Sequence, residues 1–533
     1  MPTKKTSSKA LLPLAPSGKI DNVSIRMYCL GTGDCFLVKF RSGALDAFTM
    51  MIDCGSCRGD KNDFMPYVQN LADSLTNKTI DLLVVTHEHN DHVNGFDKCY
   101  DIFNTLTIKE AWFAWTEDPN DPTGAAAALK QKQSKIKEGL RKAMTAIKAN
   151  QDALLSSNAH NAYKPRLEAT NDAFLNGLDT LAAINLSDTD TAGESAANTS
   201  LPGMRKIKQL LQDKGVKIRY LGPGNSFPLS ELPGVVFHVL GPPAKRDAIF
   251  KDGKEGTDVY NKTMALNDSM MAVNALLSMS EEINPADLPF SSIYIEETPN
   301  DKAAKKPPYY GFASIVKEAE TAAAPVGKSS DNVINDYRSP ANEWRGIDDD
   351  WLNSIGALAL RLNSHINNTS LALAIEFTGS GKVLLFPGDA EYGSWESWHL
   401  IPEWMTKGKD GKPWAEDLLN RTVFYKVGHH LSYNGTALEK GILMMNTPAL
   451  VAMATLDRHR IAKGWTSTMP NKYLLQELIK RTQGKLFIMD EFEVPDPPST
   501  RLDPATLGKD VYVAFADTGS PRVLYKQYTI TGL

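Results

Sequence analysis

The chain of 533 residues has 42% hydrophobic and 23% charged residues, a composition typical of globular proteins and a length greater than one minimal domain requires. Its formal net charge of -5 gives no global electrostatic reason to expect binding to nucleic acid or to an anionic membrane, although it does not exclude a local basic patch. The longest apolar runs have the length of strands and are too short to cross a bilayer. We therefore expect a cytoplasmic protein.

The cysteines do not have the distribution of a disulfide framework. There are five of them, an odd number, and all lie in the first hundred residues, which favours a reducing compartment. Cys54 and Cys57 have the spacing of a redox or zinc motif, but no second cysteine pair or nearby histidine pair completes a four-ligand site. We therefore predict buried or chemically idle thiols.

The chain is predicted to form one domain with two large insertions. Residues 1–20 lack the apolar core of a signal peptide and are expected to be a disordered lead, whereas residues 21–533 form the domain. Helix-forming residues with apolar spacing of three and four indicate a helical insertion at about 116–200. Residues 298–350 have no readable periodicity and are expected to form an irregular insertion. Both are expected to form a wall over the site rather than a separate domain.

Short apolar runs between turn signals predict the strands. The segments 23–40 and 48–52 are interpreted as a strand pair, and residues 80–86 as a strand buried on both faces. Further strands are predicted at 217–221, 235–240, 370–377, 382–386, 422–427, 511–515 and 522–530.

The strongest chemical signal directly follows the strand that ends at Thr86. His87, His89, Asp91 and His92 fall within six residues. Two histidines two positions apart in an extended loop can present their imidazoles to one metal ion, while the adjacent Asp91 and His92 can turn toward a second. Two such ions lower the pKa of a water molecule and polarise the bond to be cleaved. The motif therefore predicts a dinuclear hydrolytic centre.

The pattern His-x-His-x-Asp-His of residues 87–92 resembles the signature of the metallo-β-lactamase superfamily. The resemblance implies an α/β fold, an αββα sandwich with the metals held in loops at one edge. It also implies roles for residues in three further motifs. Asp53 would lie beside the metals and orient their ligands, Asp389 would bridge the two ions, and His430 would supply the last ligand.

Two adjacent histidines, His429 and His430, fit the last motif of the superfamily, and their assignments can be exchanged. We assign His430 as the ligand because a histidine followed by an apolar residue and Ser or Thr recurs in related hydrolases. His429 would then support the ligands or face the substrate, where it can donate a proton to the leaving group. The predicted catalytic residues are therefore Asp91, His429 and Asp53.

One ligand of the superfamily pattern is missing from this chain. Most members have a further metal-binding histidine before the bridging aspartate, and in that interval this chain has only His160, His238 and His365. His238 lies inside a predicted strand, where a core or surface role is expected. Water would then take the missing place at the first metal, which would weaken that ion or leave its position partly empty.

The segments 31–35, 367–370, 386–389 and 427–430 resemble the hydrolase domain of DNA-uptake proteins of the ComEC type. This resemblance implies hydrolysis of a phosphodiester, by a nuclease or phosphodiesterase, with nucleic acid as a candidate substrate. The fold alone also allows hydrolysis of a lactone, ester or amide. A third alternative is a metal-binding interaction protein with weak or no catalysis. The expected cofactors are two divalent metal ions, zinc first, with manganese or iron as alternatives.

A group of basic residues in the helical insertion suggests two alternatives. Helical spacing places several of them on one face, which could track phosphates. An ordinary solvated helix face is the interpretation that we prefer, given the acidic chain. The residues are Lys130, Lys132, Lys135, Lys137, Arg141, Lys142 and Lys148.

Overall fold

The computed structural model describes residues 19–134, 137, 184–185, 201–251, 253, 258, 364–408, 411–458, 461, 469–489, 512–514 and 521–533. The predicted lead lies outside the described residues except for its last two positions, and the predicted insertion at 298–350 lies wholly outside them. Of the predicted helical insertion, residues 116–134, 137 and 184–185 are described.

Seven strands form the first sheet. In chain order they are β1 (Asn22–Tyr28), β2 (Phe36–Ser42), β3 (Leu45–Ile52), β4 (Thr79–Val85), β5 (Thr107–Ala114), β6 (Lys217–Leu221) and β16 (Tyr525–Thr531). Across the sheet the order is β16-β1-β2-β3-β4-β5-β6. The neighbours from β3 to β6 are parallel, whereas β16, β1, β2 and β3 pair antiparallel.

The second sheet has the same mixture of pairings. Its strands are β7 (Ser226–Leu229), β8 (Leu232–Gly241), β9 (Ala372–Phe377), β10 (Val383–Phe386), β11 (Thr422–Lys426), β12 (Val451–Ala454) and β13 (Leu486–Ile488). The order is β13-β12-β11-β10-β9-β8-β7, with β10 to β13 parallel. A separate antiparallel pair joins β14 (Tyr512–Ala514) to β15 (Pro521–Val523).

Helices connect and cover the strands. They are α1 (Lys61–Ser74), α2 (Asn90–Lys98), α3 (Tyr100–Thr105), α4 (Pro202–Asp213), α5 (Arg246–Ile249), α6 (Tyr392–Trp398), α7 (Trp414–Asn420) and α8 (Lys472–Thr482). Short 3-10 turns occur at Thr76–Lys78, Trp115–Glu117, Pro402–Trp404, Gly428–Leu431 and Ile442–Met444, and residues 125–134 are also helical. Within the part of the chain that the structure describes, no helix has the length and apolar character needed to cross a membrane.

The main core lies between the two sheets. Aromatic side chains meet across it: the ring centroids of Phe36 and Phe386 are 6.2 Å apart, and those of Trp112 and Phe237 are 5.0 Å apart. Apolar residues of α1 and α2 pack on the outer face of the first sheet and join the same cluster. A second cluster on the outer face of the second sheet includes Trp395 of α6. The layers are therefore helix, sheet, sheet, helix.

The predicted strand pair at the start of the domain is in fact three strands. Residues 29–35 leave the sheet between β1 and β2, and their backbone turns inward: Asp34 N donates to Asp91 O at 2.9 Å. The apolar pattern continues through this break because its side chains are buried as well. For the same reason, periodicity alone did not separate the two strands. The strands β5, β7 and β13 were also not predicted.

Candidate metal centre

The predicted site residues meet at the carboxyl ends of parallel strands. Asp53 directly follows β3, and the histidine motif begins two residues after β4. On the second sheet, Asp389 follows β10 and His430 follows β11. Loops at the carboxyl ends of parallel strands are a common location for functional sites. Here the ends of both sheets lie at the same edge, since His430 Nε2 is 3.1 Å from Asp91 Oδ2.

Four of these residues form a compact cluster. Asp91, His92, Asp389 and His430 each offer one ligand atom, and the four atoms lie within 4.8 Å of one another. Asp389 Oδ2 lies 3.1 Å from His92 Nε2 and 3.3 Å from His430 Nε2. All four side chains are buried. This arrangement gives two carboxylates and two imidazoles around one point.

His87 and His89 form a second, smaller group beside the first. His87 Nε2 lies 3.1 Å from His89 Nδ1, and the rings of His87 and His92 are 4.1 Å apart. Ser370, two residues before β9, places its Oγ 3.2 Å from His87 Nδ1. Among the described residues this pair belongs to no group of three or more metal-ligating side chains.

The histidines considered as replacements for the missing ligand lie elsewhere or outside the described residues. His238 is buried between Ser226 and Glu376, with ring nitrogens 2.9 Å from each, so of the two expected roles, core or surface, it has the one in the core. The ring of His365 packs edge-on against Phe250. His160 lies outside the described residues.

Three ligand atoms are buried without a hydrogen-bond partner among the described residues: His89 Nε2, Asp91 Oδ1 and His92 Nε2. His92 Nε2 is close to Asp389 Oδ2 but does not have the geometry of a hydrogen bond with it. Buried polar atoms are normally satisfied, so such a group of exceptions needs an explanation. A divalent cation fits the observation, because mixed imidazole and carboxylate ligands suit zinc and tolerate manganese or iron.

Residues 30–111 match the family model of the metallo-beta-lactamase superfamily. The domain has the metallo-β-lactamase fold. The predicted αββα sandwich is thereby confirmed. The superfamily is generally hydrolytic, and its members typically bind divalent metal ions. The matched segment contains Asp53 and the histidine motif but ends before Asp389 and His430, so these two enter the site on geometry. None of the curated proteins matches the chain.

Asp53 orients two histidines of the metallo-β-lactamase-fold domain. Its Oδ2 accepts from His92 Nδ1 at 2.8 Å and from Thr86 Oγ1 at 2.6 Å. Because Thr86 donates its hydroxyl proton to Asp53, its oxygen is left to accept from His87 Nδ1, 3.0 Å away. His92 therefore presents Nε2 to the cluster, and His87 presents Nε2 toward His89 Nδ1, 3.1 Å away.

Asp34 orients His430 through Thr455, as Asp53 orients His87 through Thr86. Thr455 Oγ1 donates to Asp34 Oδ1 at 2.7 Å, so it accepts from His430 Nδ1, 2.8 Å away. The second oxygen of Asp34 lies 2.6 Å from Lys426 Nζ. Lys426 also donates to Asp389 Oδ1 at 2.9 Å. Since Asp389 Oδ1 has this partner, Oδ2 is the oxygen that faces the two histidines.

The ligands differ in how readily they take up a proton. Burial and neighbouring imidazoles lower the pKa of His89 to about 4 and that of His87 well below its ordinary value. Burial also disfavours the charged form of His430, but the carboxylates of Asp389 and Asp91 outweigh it and raise its pKa to about 9. The pKa of His92 is raised in the same way by Asp389 and Asp34. The carboxylates thus favour positive charge at the cluster.

His429 does not join the cluster and has a different environment. Its Nδ1 lies 3.0 Å from Asn434 Oδ1 and its Nε2 lies 3.3 Å from Asn367 Nδ2. Because the amide of Asn367 donates, Nε2 accepts and Nδ1 carries the proton. Burial lowers the pKa of His429. A neutral imidazole with both nitrogens engaged argues against the predicted role as proton donor, which remains a prediction.

The backbone around these residues is strained. Asp53, His429, His430 and Leu431 have φ values of 52°, 46°, 49° and 64°. Side-chain-bearing residues rarely adopt this left-handed region, and each instance costs on the order of 1–3 kcal/mol. Such strain persists where surrounding contacts fix the conformation, as the buried ligand network does here.

Among the basic residues of the helical insertion that the structure describes, Lys130 and Lys137 fit neither predicted role. Lys130 Nζ lies 2.7 Å from Glu88 Oε2, and Lys137 also pairs with Glu88. These two lysines therefore neither form a solvated face nor stand open to phosphates. Lys132 is exposed and covers the ring of Phe250. Lys135, Arg141, Lys142 and Lys148 lie outside the described residues.

The predicted site did not include Lys426, Thr86, Thr455 or Glu88. A signal existed for Lys426, because it is the one charged residue of β11, in which every residue is buried. Thr86 and Thr455 gave no signal, since a hydroxyl beside a predicted strand is common. All five cysteines are buried, as predicted.

Proposed function

We propose that this protein is a metal-dependent hydrolase that cleaves phosphodiesters at a dinuclear centre. The observation that carries the proposal is the convergence of buried ligand atoms, three of them without a partner among the described residues, at one edge of the fold. Both sheets contribute to this cluster. An arrangement so costly in buried charge is expected where a cation offsets that cost.

The residues divide into two sets. Asp91, His92, Asp389 and His430 would hold one ion, and His87 and His89 would hold the other, with Asp389 between the two. Zinc is the proposed metal, because imidazole and carboxylate suit it. When bound, such ions lower the pKa of a water and stabilise the negative charge that develops on a phosphoryl group.

The chain's own residues would keep this centre in one arrangement. Asp53 holds the rings of His92 and, through Thr86, His87. Lys426 holds one oxygen of Asp389 and so turns the other toward the ions. Fixing the direction of each ligand in advance lowers the reorganisation needed during the reaction.

The phosphodiester substrate rests on the segments that resemble the ComEC type. Three of the four, at residues 31–35, 367–370 and 386–389, supply Asp34, Ser370 and Asp389. Asp34 lies 3.7 Å from His92, Ser370 lies beside His87, and Asp389 N donates to Ser370 Oγ. The fourth, at 427–430, supplies His430. Nucleic acid is the proposed natural substrate class.

The test is hydrolysis by protein loaded with zinc or manganese. The panel would contain bis(p-nitrophenyl) phosphate, single-stranded DNA and RNA, a simple lactone and an acyl ester, each also assayed with Asp389→Ala. We expect cleavage of the phosphodiesters, abolished by the substitution. Cleavage of the lactone or ester alone would replace the proposal by a carbonyl hydrolase. Two bound metals with no cleavage of any substrate would favour the interaction-protein alternative.

A further inference from the structure

Glu88 lies between the two histidines of the smaller metal group, but its side chain points elsewhere. It is 1% exposed, and its carboxylate meets Lys130 at 2.7 Å and Lys137 at 2.5 Å. Both lysines belong to the predicted helical insertion. The insertion thus contacts the metal loop through a residue flanked on each side by a proposed ligand.

A second buried carboxylate extends this contact. Glu117 pairs with Lys130 and, at 2.9 Å, with Lys208. Lys208 also donates to the backbone oxygen of Glu117 at 3.1 Å. Glu117 lies where the predicted insertion begins, and Lys208 lies on α4, just after the insertion ends. The network therefore joins the beginning, the first helical segment and the exit of the insertion to Glu88.

The cost of burying a charge makes the position of Glu88 depend on these lysines. An ion buried without its partner costs several kcal/mol, so Glu88 is stable in the buried position only while the lysines are there. Successive side chains of an extended segment point to opposite sides, and His89 has extended backbone angles. Holding Glu88 on one side consequently holds His87 and His89 toward the other.

We propose that Lys130 and Lys137 are positioning residues for the metal held by His87 and His89, and that the insertion is therefore a structural part of the metal centre. This inference rests on the proposed function, because it concerns one of the two proposed ions. It also explains how an ion can be held at that position by only two histidines, since two ligands that are fixed in direction bind a metal better than two that are mobile.

The experiment compares Lys130→Met with Lys130→Arg and Lys132→Met in the full chain. Lys132 is a matched control two positions along the same helical segment, over the ring of Phe250 rather than at Glu88. Zinc affinity would be measured by chelator competition, and the ligand environment by the absorption spectrum of the protein with cobalt(II). Neither readout depends on turnover.

We expect Lys130→Met to lower the affinity for one of the two zinc ions by about 10- to 100-fold and to alter the cobalt spectrum. The affinity for the other ion should not change. Lys130→Arg should restore most of the affinity, and Lys132→Met should behave as wild type. If Lys130→Met does not fold, Glu88→Gln/Lys130→Met, which removes both charges, serves in its place with the same expected loss.

Wild-type affinity and spectrum in Lys130→Met, or in the double variant, would overturn the positioning role. A wild-type protein that binds one ion alone would also overturn it, because no second ion would then be positioned. A wild-type protein that binds no metal would instead refute the proposed function itself. The two failures are therefore distinguishable.

Discussion

The ammonium group of Lys426 lies 2.9 Å from Asp389 Oδ1 and 2.6 Å from Asp34 Oδ2, with all three side chains buried. One cation thus balances two carboxylates beneath the proposed metals. Asp34 accepts from Thr455, and Thr455 accepts from His430. Lys426 is therefore connected to both proposed ligands of the second sheet: to Asp389 directly, and to His430 through Asp34 and Thr455. Four of the predictions below test the residues of this centre.

Lys426→Met should destabilise the protein strongly when metal is absent. The substitution leaves two buried carboxylates without their cation, a loss of about 3–5 kcal/mol in the free energy of unfolding. Excess zinc should recover part of it, because the ion neutralises Asp389. Denaturant unfolding with chelator and with zinc measures both effects. Lys412→Met, at an exposed pair with Glu416, is the control, and equal stability of the two variants would contradict the prediction.

Asp389→Ala should abolish hydrolysis and reduce metal content. The carboxylate is the one that faces both His92 and His430, and without it less negative charge offsets the two cations. The fold should persist, since Lys426 keeps Asp34 and the oxygen of Gly388 as partners. Elemental analysis and turnover check this, with Asp417→Ala on α7 as control. Normal turnover with both metals present would remove Asp389 from the centre.

The adjacent histidines should respond differently to the same substitution. His430→Gln removes a nitrogen of the four-ligand cluster and should release the ion held there, whereas His429→Gln should retain it. Metal content after dialysis distinguishes the two, each serving as the control for the other. The reverse result would exchange their roles. A loss of turnover in His429→Gln that changes the pH profile at full metal content would restore His429 as a proton donor.

Asp53→Asn should weaken metal binding by about 10- to 100-fold without unfolding the domain. An amide keeps the size of the side chain but has only one acceptor oxygen, whereas the carboxylate accepts from Thr86 N at Oδ1 and from Thr86 Oγ1 and His92 Nδ1 at Oδ2. Chelator competition measures the affinity. The control is Asp81→Asn on β4, where the carboxylate accepts from Thr49 N away from the cluster. Equal affinities in the two variants would exclude an orienting role for Asp53.

Salt dependence should report whether the remaining basic residues contact the substrate. Lys130 and Lys137 are already paired with Glu88. If Lys135, Arg141 and Lys142 face the site, charge reversal there should raise KM more than it lowers kcat, and KM should rise steeply as salt increases. The measurement is steady-state kinetics on DNA over a range of salt. A KM that does not change with salt would favour a small uncharged substrate.

The sequence predicted the parts of the site that depend on local order along the chain. His87, His89, Asp91 and His92 lie within six residues after a buried strand, so their proximity needed no knowledge of the tertiary fold. Asp389 and His430 were predicted through family motifs, and the structure brings Asp389 Oδ2 within 3.3 Å of His430 Nε2. The αββα sandwich followed from the same resemblance.

The partners that hold these ligands depend on contacts between distant parts of the chain. Thr455 and Asp34 are 421 positions apart, and Lys130 meets Glu88 across 42 positions. A lysine in a helical pattern looks the same whether solvent or a buried carboxylate faces it. Sequence periodicity therefore favoured a solvated surface for residues that the fold buries in an ion network.

The separation of the proposed ligands along the chain also determines how a bound metal would stabilise the folded state. Asp91 and His430 are 339 positions apart and come from different sheets. An ion bound by both closes a loop of that length, and so restricts the unfolded chain in the same manner as a cross-link between its two halves. Zinc should therefore slow the separation of the two sheets as a unit, and its removal should lower hydrogen-exchange protection in both sheets together rather than at the site alone.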